Sequence, residues 1–134
     1  MAYWLVKSDP DAYSWENFKK DKETVWDGVR NYQARNNLRA MSLGDEVLFY
    51  HSQTEKSVIG LAIVSKESFQ DPKTDDKRWL AVNLKVAYKF KNPVSLAQIK
   101  NNPTLQNIAL IKQSRLSVML LTSEEFITIV GMGN

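Results

Sequence analysis

The sequence predicts an α+β fold, in which a small curled β-sheet of about five or six strands is surrounded by helices. Apolar and polar residues alternate from Leu80 to Lys91, which is the period of a strand with one face in the core. Two further apolar segments, Glu46–Ser52 and Val58–Ser65, are separated by a short connection typical of a hairpin. Helix signals lie early and late in the chain, which disfavours a parallel βαβ array.

Four segments before residue 45 have strand or helix signals. In chain order they are a strand Tyr3–Lys7, a helix Trp15–Lys20, a strand Thr24–Trp26 and a helix from Asn31 to about Met41. Ser14 and Asn31 are residue types that cap helix N-termini. In the second helix, Ala34, Leu38 and Met41 share one face, which predicts that this face is buried.

The second half of the chain begins with the alternating strand, which spans roughly 36 Å and could curl around a small barrel. Asn92-Pro93 is predicted to end it. Ser95 and Gln98 form a capping-box signal for a helix, and Thr122 and Glu125 form another, for a helix Ser123–Val130. The segment 108–121 is compatible with helix or strand, and alternation near its end favours a strand.

Composition excludes several kinds of protein. The chain has 134 residues, 43% of them hydrophobic, which fits one soluble domain spanning residues 1–134. It has no cysteine and a single histidine, His51, so no disulfide, thiolate metal site or histidine cluster is expected. The longest uncharged apolar segment, Val58–Val64, is far shorter than the roughly 20 residues that cross a bilayer. We expect a cytoplasmic protein without membrane contact.

Positive charge is concentrated in two segments, although the net charge is only +3. Residues 77–123 contain eight basic residues and no acidic one. Between Gly28 and Gly44, the charged residues are Arg30, Arg35 and Arg39. This asymmetry favours a polyanionic partner, the alternative being two solvated faces that happen to lack acids.

Motifs for catalysis are missing. The sequence has no Gly-x-Ser-x-Gly, no P-loop and no glycine-rich dinucleotide motif. Ser52 follows His51 directly, and neighbouring residues of a strand point to opposite faces, so the two form no catalytic pair. A hydrogen-bonded strand histidine is the simpler interpretation of His51. We therefore expect a protein that is not an enzyme.

The segment around Trp26 differs from a core segment. The aromatic residues Trp4, Trp15, Tyr88 and Phe90 are expected in the core, whereas Trp26 precedes a glycine turn and a polar, arginine-rich helix start. A flat ring, free backbone amides and guanidinium groups together suit a pocket for a planar ligand. Nucleobases taken out of a strand are recognised by such stacking and by hydrogen bonds to their edges.

Four segments of the sequence resemble the motifs of the EVE domain family. They are Tyr3–Pro10 (YWLVKSDP), Trp26–Asn36 (WDGVRNYQARN), Phe49–Ser52 (FYHS) and Gln113–Val118 (QSRLSV). The chain departs from the family pattern at Asp9, where glutamate is usual, and at Leu120-Leu121, where Pro-Leu is common. The resemblance extends from residue 3 to about residue 126.

The resemblance implies a PUA-like fold related to YTH and ASCH domains, and a domain that reads a modified nucleobase, such as a methylated cytosine, in DNA or RNA. The alternative it leaves open is an enzyme that hydrolyses a modified nucleoside, with Lys7 or His51 as base. A monomer without cofactor or metal is expected. By motif position, the implied base pocket comprises Lys7, Ser8, Trp26, Gly28, Val29, Asn31, His51, Ser52 and Ser114. The residues implied to face the nucleic-acid backbone are Arg30, Arg35, Arg39 and Arg115.

Overall fold

The computed structural model describes residues 1–134 as one six-stranded mixed sheet with helices around it. The strands are β1 Tyr3–Ser8, β2 Glu23–Trp26, β3 Glu46–His51, β4 Ser57–Gln70, β5 Leu80–Ser95 and β6 Val118–Leu121. Their order across the sheet is β2-β5-β4-β3-β1-β6. The α+β class and the number of strands are confirmed. The sheet is curled by long β4 and β5, but β2 and β6 are its two edges, so the predicted barrel is not closed by hydrogen bonds.

Five α-helices lie among the strands. They are α1 Trp15–Asp21, α2 Tyr32–Ala40, α3 Leu96–Lys100, α4 Ala109–Lys112 and α5 Ser123–Gly133, with one 3₁₀ turn at Pro103–Leu105. The predicted caps are present at all four sites: Ser14 accepts from the backbone of Asn17, Asn31 from Ala34, Ser95 from Gln98 and Thr122 from Glu125. The apolar face of α2 is buried, as its spacing predicts.

The sheet contains one parallel pair, the interior strands β1 and β3. A parallel pair needs a long crossover, and α1, β2 and α2 provide it. The register sets Lys7 beside Tyr50 and Ser8 beside His51. The end of β1 is fixed further because the Lys7 amide donates to the Ser117 carbonyl at 2.9 Å. Two of the four family-like motifs therefore meet at the carboxyl ends of adjacent strands.

Aromatic rings make up much of the core beneath this end of the sheet. Phe49 is surrounded by Phe18 at 5.3 Å, Trp15 at 5.4 Å and Trp26 at 5.6 Å between ring centroids. The Trp15 and Trp26 contacts are edge-to-face, an arrangement that adds to the hydrophobic gain of burial. The rear of Trp26 is thus held by the core.

Two expectations about the second half of the chain are wrong, and a third is confirmed. β5 continues through Pro93 to Ser95, because Pro93 falls where the register shifts between the pairs Gly60–Lys89 and Val58–Val94, and a bulge needs no proline N–H. The same shifts break the alternation, which leaves Tyr88 40% exposed rather than in the core. The strand favoured near the end of segment 108–121 is present as β6, and Ala109–Lys112 is helical.

Gly60 tests how closely the sheet packs on the aromatic core. A Cβ at Gly60 would lie 2.6 Å from the Trp15 ring and 2.7 Å from the Tyr88 carbonyl oxygen. Because the ring is buried and the oxygen belongs to the backbone, neither can retreat. We expect Gly60→Ala to lower the free energy of unfolding by about 1–3 kcal/mol in urea titrations.

Gly131→Ala is the matched control, since Gly131 lies in α5 with no atom within 4 Å of an added Cβ. Alanine is the better helix former, so this variant should equal the wild type or exceed its stability by up to about 1 kcal/mol. Equal stabilities of the two variants would contradict the close packing at Gly60.

Candidate functional site

A cavity of about 530 Å³ opens beside the carboxyl ends of β1 and β2. Its lining combines Lys7, Ser8 and Asp9 from the end of β1 with Trp26, Gly28, Val29 and Arg30 from the segment after β2, and with Tyr13 and Lys73. Five of the nine predicted pocket residues meet there, namely Lys7, Ser8, Trp26, Gly28 and Val29. Arg30, predicted to face the nucleic-acid backbone, lines it as well.

Trp26 belongs both to the core and to the cavity wall. Its side is packed on Phe49, and its ring lies 6.3 Å from that of Tyr13 in an edge-to-face arrangement. Only 9% of the residue is exposed, and that part lines the open cavity. A ring held from behind in this way offers a rigid wall to a planar ligand.

The segment after Trp26 is fixed by the carboxylate of Asp71, which follows β4. Asp71 Oδ2 accepts from the Gly28 amide at 2.8 Å and from the Arg30 guanidinium at 2.9 Å, and Oδ1 accepts from the Lys73 amide at 2.7 Å. Gly28 has φ +77°, a conformation that glycine adopts without strain. The backbone turn at the cavity wall therefore depends on one glycine and one buried acid.

Asp71 remains charged in this position although its side chain is completely buried. Burial by itself raises the pKa of a carboxyl group, but the hydrogen bonds from Arg30, Lys73 and Gly28, with the charge of Arg30, outweigh it and hold the pKa of Asp71 below its ordinary value. The cost of burying the charge is offset by these three donors.

Lys7 separates this cavity from a second one. Its Nζ donates to the Ser114 carbonyl at 2.7 Å, and burial lowers the pKa of the amine. On its other side Lys7 lines a cavity of about 240 Å³ together with Ser52 and Ser114. A shallower depression next to it is lined by Asn31, Ser114 and Arg115. Three further predicted pocket residues thus lie around neighbouring cavities rather than the Trp26 cavity.

His51 lies outside all three cavities and is engaged in the fold. Its Nε2 accepts from the Trp15 backbone amide at 2.9 Å, and its Nδ1 lies 3.0 Å from the Glu55 carboxylate. Because Nε2 is an acceptor, the proton is on Nδ1, which donates to Glu55. His51 joins β3 to the start of α1.

The predicted arginines differ in their surroundings. Arg30 is at the cavity rim and paired with Asp71, Arg35 and Arg39 lie on α2, and Arg115 follows α4. Arg35, Arg39 and Arg115 form no ion pair with a carboxylate. They are cations available to a polyanion.

Three residues of the site escaped sequence reasoning: Asp71, Tyr13 and Lys73. Tyr13 and Lys73 line the cavity from loops, and Asp71 lies behind its wall and holds it by hydrogen bonds. Lys73 pairs with Asp27 at 3.0 Å, and burial together with Asp21 raises the pKa of Tyr13 to about 12. The only sequence signal for Asp71 is its position between a strand and Pro72.

No group of three or more His, Cys, Asp or Glu side chains is placed to hold a metal ion. None of the helices has the length and apolar character needed to cross a membrane.

The contribution of the Asp71 carboxylate to stability can be tested by replacing Asp71 with asparagine. We expect Asp71→Asn to lower the free energy of unfolding by about 1–3 kcal/mol at neutral pH, because three donors lose a charged acceptor. The native pKa of Asp71 lies below its ordinary value of 3.8, so its contribution is complete above pH 3.8 and disappears as pH falls through the native pKa. The difference between wild type and variant should therefore shrink below pH 3.8.

Asp75→Asn is the control, since Asp75 is exposed and makes no hydrogen bond or ion pair. It should match the wild type in urea titrations from pH 7 to pH 2.5. A difference for Asp71→Asn that stays constant over this range would show that its charge does not support the loop.

Several known proteins are similar to this chain over most of its length. Human thymocyte nuclear protein 1 is 35% identical over 93% of this chain and 71% of its own length. The crystal structure of Atu2648 from Agrobacterium tumefaciens is 41% identical, with a TM-score of 0.97 over 100% of this chain and 94% of that one. The human THYN1 protein in complex with 5-methylcytosine-containing DNA is 33% identical, with a TM-score of 0.92 over 100% and 98% of the two chains.

A more distant likeness concerns the fold alone. The ASCH protein of Zymomonas mobilis has a TM-score of 0.65 at 16% identity, over 98% of this chain and 99% of that one.

The sequence profile of the EVE domain matches residues 2–132, nearly the whole length. This chain belongs to the EVE domain family.

Proposed function

We propose that this protein is a non-catalytic reader domain that takes a modified nucleobase of DNA, such as a methylated cytosine, into the Trp26 cavity. The observation that carries the proposal is the Trp26 indole, held by the core on one side and lining an open cavity on the other. The related human THYN1, crystallised with 5-methylcytosine-containing DNA, supports this ligand class. RNA is a second candidate ligand.

The dimensions of the cavity suit this role. Its volume of about 530 Å³ lies within the range of small-molecule sites. Stacking on an aromatic ring contributes about 1–3 kcal/mol per base, while taking a base out of a duplex costs a few kcal/mol. These two free energies nearly cancel. Net affinity must therefore come from contacts outside the cavity, and the phosphates are the obvious source.

Discrimination between methylated and plain cytosine depends on a smaller free energy, that of burying the methyl group. Burying one methyl group contributes about 0.8 kcal/mol, which is a preference of about fourfold. The apolar side chain of Val29, which is almost fully buried, and the ring of Tyr13 are available in the lining to contact such a group. We expect a modest, direct preference that depends on close apolar contact.

The positions of the candidate bases argue against hydrolysis. The Lys7 amine is bound to the Ser114 carbonyl, and both ring nitrogens of His51 are engaged away from the cavity. Asp27, the acid nearest to Trp26 in sequence, is paired with Lys73. A hydrolase acting on modified nucleosides is the second candidate, and chromatography after incubation with such nucleosides distinguishes it. The proposal also treats residues 1–134 as a single domain that acts as a cytoplasmic monomer.

The proposal is tested by replacing Trp26 and measuring binding to matched methylated and plain DNA by fluorescence anisotropy. We expect Trp26→Ala to weaken binding of the methylated strand by about tenfold, the fold-change equivalent to ~1.4 kcal/mol of stacking, and to abolish the preference. Because Trp26 also packs on the core, Trp26→Phe is a second variant that keeps a ring and should retain part of the preference.

Tyr88→Ala is the control for removing a ring, since Tyr88 is half-exposed on β5 and does not line the cavity. Its binding should match the wild type. If folded Trp26→Ala keeps the full preference, the cavity is not where the base is read. If the wild type binds neither strand at low salt, the reader function itself is wrong.

A further inference from the structure

Four side chains next to the cavity form a continuous stack on the surface. The rings of Trp79 and Tyr32 are stacked, with centroids 5.1 Å apart and planes at 28°. The Arg30 guanidinium carbon lies 5.6 Å from the Trp79 centroid, and that of Arg35 lies 5.0 Å from the Tyr32 centroid. The stack therefore consists of two rings in contact with each other and a cation at each end.

Two distant segments of the chain are joined in this stack. Arg30, Tyr32 and Arg35 come from the start of α2 and the residues before it, whereas Trp79 ends the loop between β4 and β5. That loop is closed by a hydrogen bond from the Asp71 amide to the Trp79 carbonyl at 2.9 Å. The Arg35 guanidinium also donates to the Arg78 carbonyl at 3.2 Å. The position of Trp79 over α2 is thus determined by several contacts.

The stack lies at the surface, where core packing does not explain it. Tyr32 is 52% exposed and the Arg30 side chain is 41% exposed. Ring–guanidinium contacts at exposed sites are individually weak, so they contribute little to stability. These contacts instead hold the two long arginine side chains in fixed positions at the surface.

Charge along the stack is only partly compensated. Arg30 shares its charge with the buried carboxylate of Asp71, and Arg78 pairs with Asp76. Arg35 bonds only to neutral oxygens, those of Asn36 and of the Arg78 backbone. The outer end of the stack is therefore a cation without a carboxylate, which suits a phosphate.

We propose that this stack holds the sugar–phosphate backbone of the DNA strand next to the nucleotide in the Trp26 cavity, and that Trp79 and Tyr32 are positioning residues for the two arginines. This inference rests on the proposed function. Arg30 links the two sites, because it lines the cavity and also lies over Trp79. A strand leaving the cavity past Arg30 meets Trp79, Tyr32 and Arg35 in turn. The rings keep the guanidinium groups ordered before binding, which reduces the entropy lost on association.

The experiment measures binding of methylated and plain DNA at several salt concentrations for Arg35→Gln, Trp79→Leu and Tyr32→Leu. Arg35→Gln should weaken both ligands equally, by about three- to tenfold, and reduce the slope of log K against log salt by about 0.7–0.9, the value for one phosphate contact. Trp79→Leu and Tyr32→Leu should weaken both ligands by a similar factor but keep the slope. The number of cations is unchanged in these two variants, and only their order is lost.

Three controls keep the result interpretable. Thermal melting shows whether each variant is folded, and Tyr32→Phe, which keeps the ring but loses the hydrogen bond from Arg78, should bind like the wild type. Lys19→Gln removes a cation from α1, away from the stack, and should leave the slope unchanged.

Each alternative outcome has a definite meaning. If the stack variants bind like the wild type while Trp26→Ala loses the preference, the backbone follows another path and this inference is wrong, although the reader function stands. If Arg35→Gln weakens binding but both ring variants do not, the rings have no positioning role. If Trp79→Leu lowers the methyl preference, Trp79 contacts the base instead. If the wild type binds no oligonucleotide, the reader function fails first.

Discussion

The buried carboxylate of Asp71 is the contact on which the rest of the site depends. It satisfies the Gly28 amide in a backbone conformation that few other residues adopt, and it fixes Arg30 at the cavity rim. Its own backbone closes the loop that places Trp79 over α2. Asp71 therefore determines the positions of the cavity wall, of Arg30 at the rim and of Trp79 in the stack. A buried charge of this kind is tolerated only where its donors are complete, so the three features form or fail as one unit.

Trp26 couples the fold to the function in a second way. Most of its surface is packed on Phe49 and Tyr13, and only a small part lines the cavity. A wall built into the core cannot rotate away, so a ligand meets an ordered surface and little entropy is lost on binding. The same arrangement makes the ring costly to replace, because removing a large core side chain leaves a void. Replacing Trp26 therefore changes the cavity wall and the stability of the fold at the same time.

Local signals in the sequence predicted local structure well. Ser14, Asn31 and Thr122 cap helices because a cap needs only residues within one turn. The alternation of β5 predicted a strand but not its bulges, since register shifts depend on a partner strand, and so the exposure of Tyr88 was missed. The motif around Trp26 indicated a pocket. The positions of Asn31 and Ser114 around another cavity, however, depend on tertiary contacts. So does the role of Asp71, which bonds to Gly28, more than 40 residues away in the chain. No local pattern encodes these.

The proposed separation of the base site from the phosphate site has a physical consequence for recognition. Stacking and methyl burial involve no release of counterions, whereas each phosphate contact does. In the proposed reader, preference for the modified base is set inside the cavity and is insensitive to salt, while overall affinity is set by the arginines and falls as salt rises. Arg30 is the one cation that belongs to both regions, and its charge is already shared with Asp71. On the proposed function, that pairing limits how strongly the rim attracts any nucleotide, modified or not, and leaves the choice between bases to the uncharged side chains of the cavity wall.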